Sequence, residues 1–149
     1  MAVTQRWDAA ALRAGAAVCL MLAVPFSLIA SVVIDDGSTS GWATLLALGS
    51  FAGFVVGSGV AAWRQERGTP LSHAMVAALA GFVAAQAVFS LIRALRGDEI
   101  RIGRILASLT LVVGAGLIGG FLGAWMHKQG VRPGTPRPHG TDPRDGFQS

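Results

Sequence analysis

Four long apolar runs dominate the chain, and short polar segments separate them. Each run has about 20 residues or more, the length of helix that crosses a hydrocarbon core of about 30 Å. Asp, Glu and Lys are missing from the run interiors, and arginines stand only at the run ends. Backbone groups in lipid must bond within their own segment, so the runs predict transmembrane helices rather than strands. The predicted spans are Ala11–Ile34, Trp42–Trp63, Leu71–Ile92 and Ile102–Trp125.

Composition agrees with this pattern. Of the 149 residues, 52% are hydrophobic and 13% are charged, and the mean hydropathy is +0.56. These values are typical of membrane proteins rather than of soluble domains. The four tryptophans also fall near the span ends, where indole rings favour the membrane–water interface; they are Trp7, Trp42, Trp63 and Trp125.

The composition changes abruptly at Gln129. Residues 129–149 are rich in Pro, Gly and charged side chains. Such a segment cannot bury enough apolar surface to fold alone. We therefore predict a four-helix transmembrane domain over residues 1–128 and a flexible cytoplasmic tail over 129–149.

Two segments resemble each other at an offset of 63 residues. FSLIASVVIDD (26–36) aligns with FSLIRALRGDE (89–99), and Ala62–Trp63 aligns with Ala124–Trp125 at nearly the same offset. The fold class predicted is an all-α membrane protein, in which four transmembrane helices form a bundle of two parallel-repeat helical hairpins. Parallel repeats imply a pseudo-twofold axis along the membrane normal.

Cationic residues predict the topology. An even number of helices places both termini on one side of the membrane, and that side holds eight of the 12 Lys and Arg residues. The excess of positive charge favours the cytoplasm for this side. The prediction is a multi-pass protein of a bacterial cytoplasmic membrane with both termini inside. The other side holds four arginines: Arg93, Arg96, Arg101 and Arg104.

These four arginines lie in LIRALRGDEIRIGRIL (91–106), the least expected stretch of so apolar a chain. Helical spacing puts further polar residues on the same helix faces. The faces consist of Gln86, Ser90 and Arg93 on the third helix, and of Arg101, Arg104 and Ser108 on the fourth. The candidate residues for an anion or lipid headgroup are Arg93, Arg96, Arg101, Arg104, Gln86 and Ser90.

Two interpretations of the arginines are open. Guanidinium groups bind phosphate and carboxylate oxygens bidentately, which suits an anionic headgroup at this depth. Alternatively, the side chains extend to the interface and pair with nearby carboxylates without binding a ligand. The carboxylates available for such pairs are Asp35, Asp36, Asp98 and Glu99.

Small residues recur at helical spacing on three of the spans. Such stripes let helix backbones approach closely in lipid, where no hydrophobic force brings helices together. We expect them to pack helices within one chain, because two stripes can face each other inside the bundle. The candidate packing glycines are Gly49, Gly53, Gly57, Gly81, Gly116 and Gly120.

The sequence offers no recognisable catalytic group, metal-ligand cluster or nucleotide-binding loop. His73 and His127 stand at span ends on the predicted inner side, and Cys19 lies within the first span. We predict no enzyme activity, no metal and no cofactor. The predicted function is that of a non-enzymatic accessory protein (a scaffold, regulator or assembly partner). The alternative is a lipid- or solute-handling protein whose outer-face arginines bind an anionic headgroup. The expected partners are membrane lipids and either a membrane protein or a second copy of the chain, but not nucleic acid.

One family resemblance accompanies these patterns. FAGFVVGSGVAAWRQERGTPLSHAMVAALAGFV and the later VGAGLIGGFLGAWM resemble the YrzE-like proteins, small bacterial four-helix membrane proteins of unassigned function. The likeness covers about residues 51–126 and rests on glycine spacing and a short basic turn. It implies a four-helix membrane fold and no particular activity.

Overall fold

Four α-helices make up nearly all of the chain that this computed structural model describes, which is residues 7–33, 41–97 and 102–131. All four are long and apolar enough to cross a membrane. The predicted all-α membrane bundle is therefore confirmed. The helices are α1 (Ala9–Val33), α2 (Gly41–Arg64), α3 (Pro70–Arg96) and α4 (Ile102–Lys128).

The helices extend beyond several of the predicted span ends. α3 continues past Ile92 to Arg96, and α4 continues past Trp125 to Lys128. Long cationic side chains can reach the interface while their stems stay in apolar surroundings, so a helix need not end with its apolar run. Ile34, Arg101, the two acidic pairs and most of the predicted tail lie outside the described residues.

Local chemistry sets the ends of the helices. The Asp8 carboxylate accepts the backbone N–H groups of Ala10 and Ala11, each at 3.1 Å, and so caps the start of α1. α3 ends at Arg96, and the φ of 76° at the next residue, Gly97, lies in the left-handed region that suits glycine. The Gly97 N–H donates to the Ala94 carbonyl oxygen at 3.3 Å.

The bundle has two distinct ends. At the termini end, α1 and α3 begin and α2 and α4 finish. At the arginine end, α1 and α3 finish and α2 and α4 begin. Among the described residues, α2 contacts all three other helices, whereas α1 and α4 do not contact each other. A twofold axis relating the hairpins would make the α1–α4 and α2–α3 pairs equivalent, so the packing departs from the predicted pseudo-twofold symmetry.

Glycines form the closest helix contacts, in the half of the bundle nearer the termini end. A Cβ added at Gly57 would lie 2.6 Å from the Cys19 backbone nitrogen, and one at Gly123 would lie 2.5 Å from the Gly59 carbonyl oxygen. Backbones of neighbouring helices therefore touch where only glycine leaves room.

The predicted packing glycines all lie against other helices of the same chain. Gly53, Gly57, Gly81, Gly116 and Gly120 are buried. The sixth, Gly49, is half-buried against the Phe26 ring. The contacts also involve Gly15, Gly59, Gly119 and Gly123.

Candidate functional site

The predicted polar faces of α3 and α4 meet at the arginine end. Gln86, Ser90 and Arg93 of α3 line a cavity of about 150 Å³ together with Arg104 and Ser108 of α4. The helical spacing read from the sequence thus placed these five side chains around one space. Ser27 of α1 also lines this small cavity.

The structure describes only one of the remaining two arginines. Arg96 is exposed at the last turn of α3 and does not line the cavity. Arg101 lies outside the described residues. Of the six predicted headgroup-binding residues, the structure therefore brings four together: Gln86, Ser90, Arg93 and Arg104.

A larger cavity of about 380 Å³ adjoins the small one. All four helices contribute to its wall, and it shares Ser27, Gln86, Arg104 and Ser108 with the small cavity. Apart from these groups and Ser50, its wall consists of apolar side chains and the thiol of Cys19. The aromatic part of the wall comes from Phe51, Phe54, Phe82 and Phe89.

The polar groups around the two cavities differ in how they are bonded. The Ser108 hydroxyl donates to the Arg104 carbonyl oxygen at 2.9 Å, and the hydroxyls of Ser27 and Ser50 are 3.3 Å apart. By contrast, the Gln86 amide and the Arg93 and Arg104 guanidinium groups form no hydrogen bond or ion pair with another described residue. No buried side-chain nitrogen or oxygen in the described part lacks a partner. Gln86 and Arg93 are half-buried and Arg104 is exposed, so a ligand can reach all three groups.

This arrangement supplies several hydrogen-bond donors and a positive charge at the opening of an apolar space. Each guanidinium offers five N–H donors in a planar fork, and the glutamine amide adds two. An anionic oxygen satisfies such donors better than a neutral one. Ion pairs with the predicted carboxylates involve residues outside the described part, so that interpretation of the arginines stays a prediction.

A second polar cluster lies at the termini end and was not predicted. His73, which has no exposed surface, accepts the Asp8 backbone N–H at Nε2 over 3.0 Å. Its Nδ1 therefore carries the ring proton and donates to the Thr69 carbonyl oxygen at 2.9 Å. The Trp7 ring packs against the imidazole with 5.3 Å between centroids. These hydrogen bonds and the ring contact hold the start of α1 against the start of α3.

Other candidate chemistry is sparse in the part of the chain that the structure describes. No group of three or more His, Cys, Asp and Glu side chains is placed to hold a metal ion. His127 is exposed near the end of α4, far along the chain from the buried His73. Cys19 is buried, and its thiol lies 3.9 Å from the Phe54 carbonyl oxygen.

No protein-family model, curated protein or solved structure matches this chain.

Proposed function

We propose that this protein is a non-enzymatic membrane protein that binds an anionic lipid headgroup at the arginine end of its bundle. The observation that carries the proposal is that Gln86, Arg93 and Arg104 bring donors around one cavity that bond to no other described residue. A phosphate group accepts several such donors at once, and the guanidinium fork matches its geometry.

The position of the donors supports a lipid over a soluble anion. Arg93 lies in the last turn of α3 and Arg104 in the first turn of α4, at the depth where a helix leaves the hydrocarbon core. Phosphate groups of lipids occupy this level of the membrane. The apolar wall of the adjoining cavity offers nothing to a small soluble anion.

The second candidate is an accessory role as a scaffold, regulator or assembly partner, and one feature of α4 favours it. An added Cβ at Gly103 or Gly114 would meet no atom within 4 Å. These glycines therefore do not serve packing within the bundle. Together with the exposed Ala107 and Thr110 they form a stripe of small residues on which a helix of another membrane protein, or of a second copy, could pack. Stoichiometric co-purification of such a protein tests this role.

The proposed location is a bacterial cytoplasmic membrane, with the termini end in the cytoplasm and the arginine end outside. Its support is the distribution of basic residues along the sequence, eight toward the termini end and four toward the other. Membership of the YrzE-like family is likewise a proposal, based on the resemblance over residues 51–126.

Cysteine labelling in intact cells tests the orientation. In a Cys19→Ser background, cysteines introduced at Ser38 and Ala94 are expected to react with a membrane-impermeant maleimide, because both positions would face the outside. A cysteine at Arg67, in the turn between α2 and α3, should react only after lysis. The opposite pattern would reverse the orientation.

A lysine substitution tests the headgroup site, because lysine keeps the charge but lacks the planar fork. We expect the variant with Arg93→Lys, Arg96→Lys, Arg101→Lys and Arg104→Lys to bind phosphatidylglycerol about tenfold more weakly, a loss of about 1.4 kcal/mol. Native mass spectrometry of the purified protein with phosphatidylglycerol measures the retained lipid.

The matched control is Arg64→Lys with Arg67→Lys, which changes two exposed arginines at the termini end and should leave lipid retention unchanged. Glycerol 3-phosphate, added as a soluble competitor, distinguishes the two sources of the anion. Its failure to compete supports a lipid, whereas strong competition favours a soluble phosphate compound. Equal lipid retention in the four-lysine variant and the parent would overturn the headgroup site.

A further inference from the structure

The larger cavity is apolar in depth and polar at one end. Its deepest residues, Cys19, Phe54, Phe82 and Val112, belong to the buried core of the bundle. Arg104 stands at the opposite end, in the first turn of α4. A molecule that fits this space must therefore be apolar along its length and anionic at one end only.

The cavity also reaches the outside of the bundle. Leu111 lines it and is 61% exposed. Ala47 of α2 also lines it and is exposed. A lipid in the surrounding bilayer therefore has a lateral route into the space.

We infer that this cavity holds one aliphatic chain of the lipid whose anionic headgroup binds at Arg93 and Arg104. The inference rests on the proposed function and names the ligand class: an anionic lipid with one chain inside the bundle. Any second chain would stay in the bilayer beside the lateral opening.

The dimensions of the cavity fit a single chain. A methylene group takes up about the volume of one water molecule, about 30 Å³. The 380 Å³ cavity thus holds about a dozen methylene groups at that volume. Its lining residues on α1 run from Cys19 to Ala30, which is about 16 Å at 1.5 Å per residue. A helix, at about 10 Å across with its side chains, is too wide for this space.

Packing supplies the driving force. A lipid chain gains no hydrophobic free energy when it moves from bilayer to cavity, because both surroundings are apolar. However, an empty space of this size deprives the four phenylalanine rings of contact on one side. A chain inside the cavity restores those contacts, while the headgroup binds the arginines.

Filling the cavity tests the inference. Ala85 is 9% exposed and lines the cavity, whereas the neighbouring Ala84 is exposed and does not. We expect Ala85→Phe to weaken retention of lysophosphatidylglycerol, a single-chain anionic lipid, about tenfold in native mass spectrometry, the change that 1.4 kcal/mol of lost contact produces. The matched control Ala84→Phe adds the same ring at the same depth on the lipid side and should bind like the parent.

A second variant, which leaves the cavity open, tests the inference even if Ala85→Phe fails to fold. In a background where phenylalanine replaces the four native tryptophans, Phe89→Trp exchanges one aromatic wall residue for another. A lysophosphatidylglycerol with a brominated chain should quench the fluorescence of this single tryptophan. Phe121→Trp, on the lipid-facing side of α4 and 69% exposed, should be quenched much less at one lipid per protein.

The outcomes separate this inference from the proposed function. Loss of binding in Ala85→Phe but not Ala84→Phe, with quenching at position 89, supports the chain site. Unchanged binding in a folded Ala85→Phe, or equal quenching at positions 89 and 121, overturns the chain site. In that case the headgroup site still stands if the four-lysine variant binds the lipid weakly. Unchanged binding in the four-lysine variant overturns the headgroup site, and the chain site as stated then falls with it.

Discussion

Replacing Gly119 with alanine is expected to destabilise the bundle by about 3 kcal/mol, because the site has no room for a methyl group. The added Cβ would overlap the Ser58 hydroxyl and the Val55 carbonyl oxygen and would lie 2.9 Å from the Gly59 nitrogen. Two of these three atoms belong to the backbone of α2, which cannot move without shifting the helix. Thermal unfolding in detergent measures the effect.

The Ser58 hydroxyl makes this clash more damaging than an overlap with an apolar side chain. It has no exposed surface and lies within hydrogen-bond distance of the carbonyl oxygens of Phe54, at 2.7 Å, and Ala115, at 3.3 Å. A methyl group at Gly119 would displace this hydroxyl from a site where its partners are also buried. A buried polar group without a partner costs about 1–3 kcal/mol.

Gly114→Ala is the matched control on the same helix. A Cβ there would meet no atom within 4 Å, and alanine favours a helix over glycine by about 0.5–1 kcal/mol. We therefore expect Gly114→Ala to unfold at the same temperature as the parent or higher. Equal unfolding temperatures for the two alanine variants would show that the α2–α4 contact does not depend on the absence of a side chain at Gly119.

Helix positions were predictable because they depend on local sequence. Each span is an apolar run of membrane-crossing length, and the second is bounded by Trp42 and Trp63. The prediction for α2 therefore differs from the structure by one residue at each end. The end of α3 was less predictable, because Arg93 and Arg96 are charged and yet helical. A hydropathy pattern shows where the apolar run ends, whereas the helix itself continues to Arg96 and stops before the left-handed Gly97.

Helical periodicity also predicted the α3 and α4 faces of the candidate site. The spacing of Gln86, Ser90 and Arg93 was sufficient to place them together. Ser27 could not be found in this way, because its presence depends on which helix lies beside α3. The larger cavity likewise could not be predicted from the sequence. A space between helices depends on how closely four separate backbones approach one another.

The termini end shows a similar limit. α3 begins at Pro70 directly after Thr69, and these residue types are typical of a first-turn proline and a helix cap. However, the Thr69 hydroxyl lies 3.1 Å from His73 Nδ1 and makes no capping bond to the backbone. His73 links the two helices through its hydrogen bond with Asp8, which is 65 residues away in sequence. Local patterns could not indicate a contact of that range.

Replacing His73 with phenylalanine is expected to destabilise the protein by about 2 kcal/mol, because it removes a buried acceptor and a buried donor. The ring would still pack against Trp7, so the loss reports hydrogen bonding rather than volume. The Asp8 N–H would lose the acceptor that it finds at His73 Nε2 over 3.0 Å, and the Thr69 carbonyl oxygen would lose its imidazole donor. Thermal unfolding in detergent measures the stability, and hydrogen exchange of the peptide spanning residues 7–12 measures the local effect.

Two further variants make this prediction specific. His127→Phe makes the same change at an exposed position on α4 and should leave both the unfolding temperature and the exchange of residues 7–12 unchanged. His73→Gln should restore part of the loss, because the amide oxygen of glutamine occupies nearly the position of imidazole Nε2 and can accept the Asp8 N–H. If His73→Phe lowers stability no more than His127→Phe, the cluster does not hold α1 to α3. If stability falls while exchange of the Asp8 amide stays slow, the buried imidazole acts through its packing, and the start of α1 is held by the Asp8 cap alone.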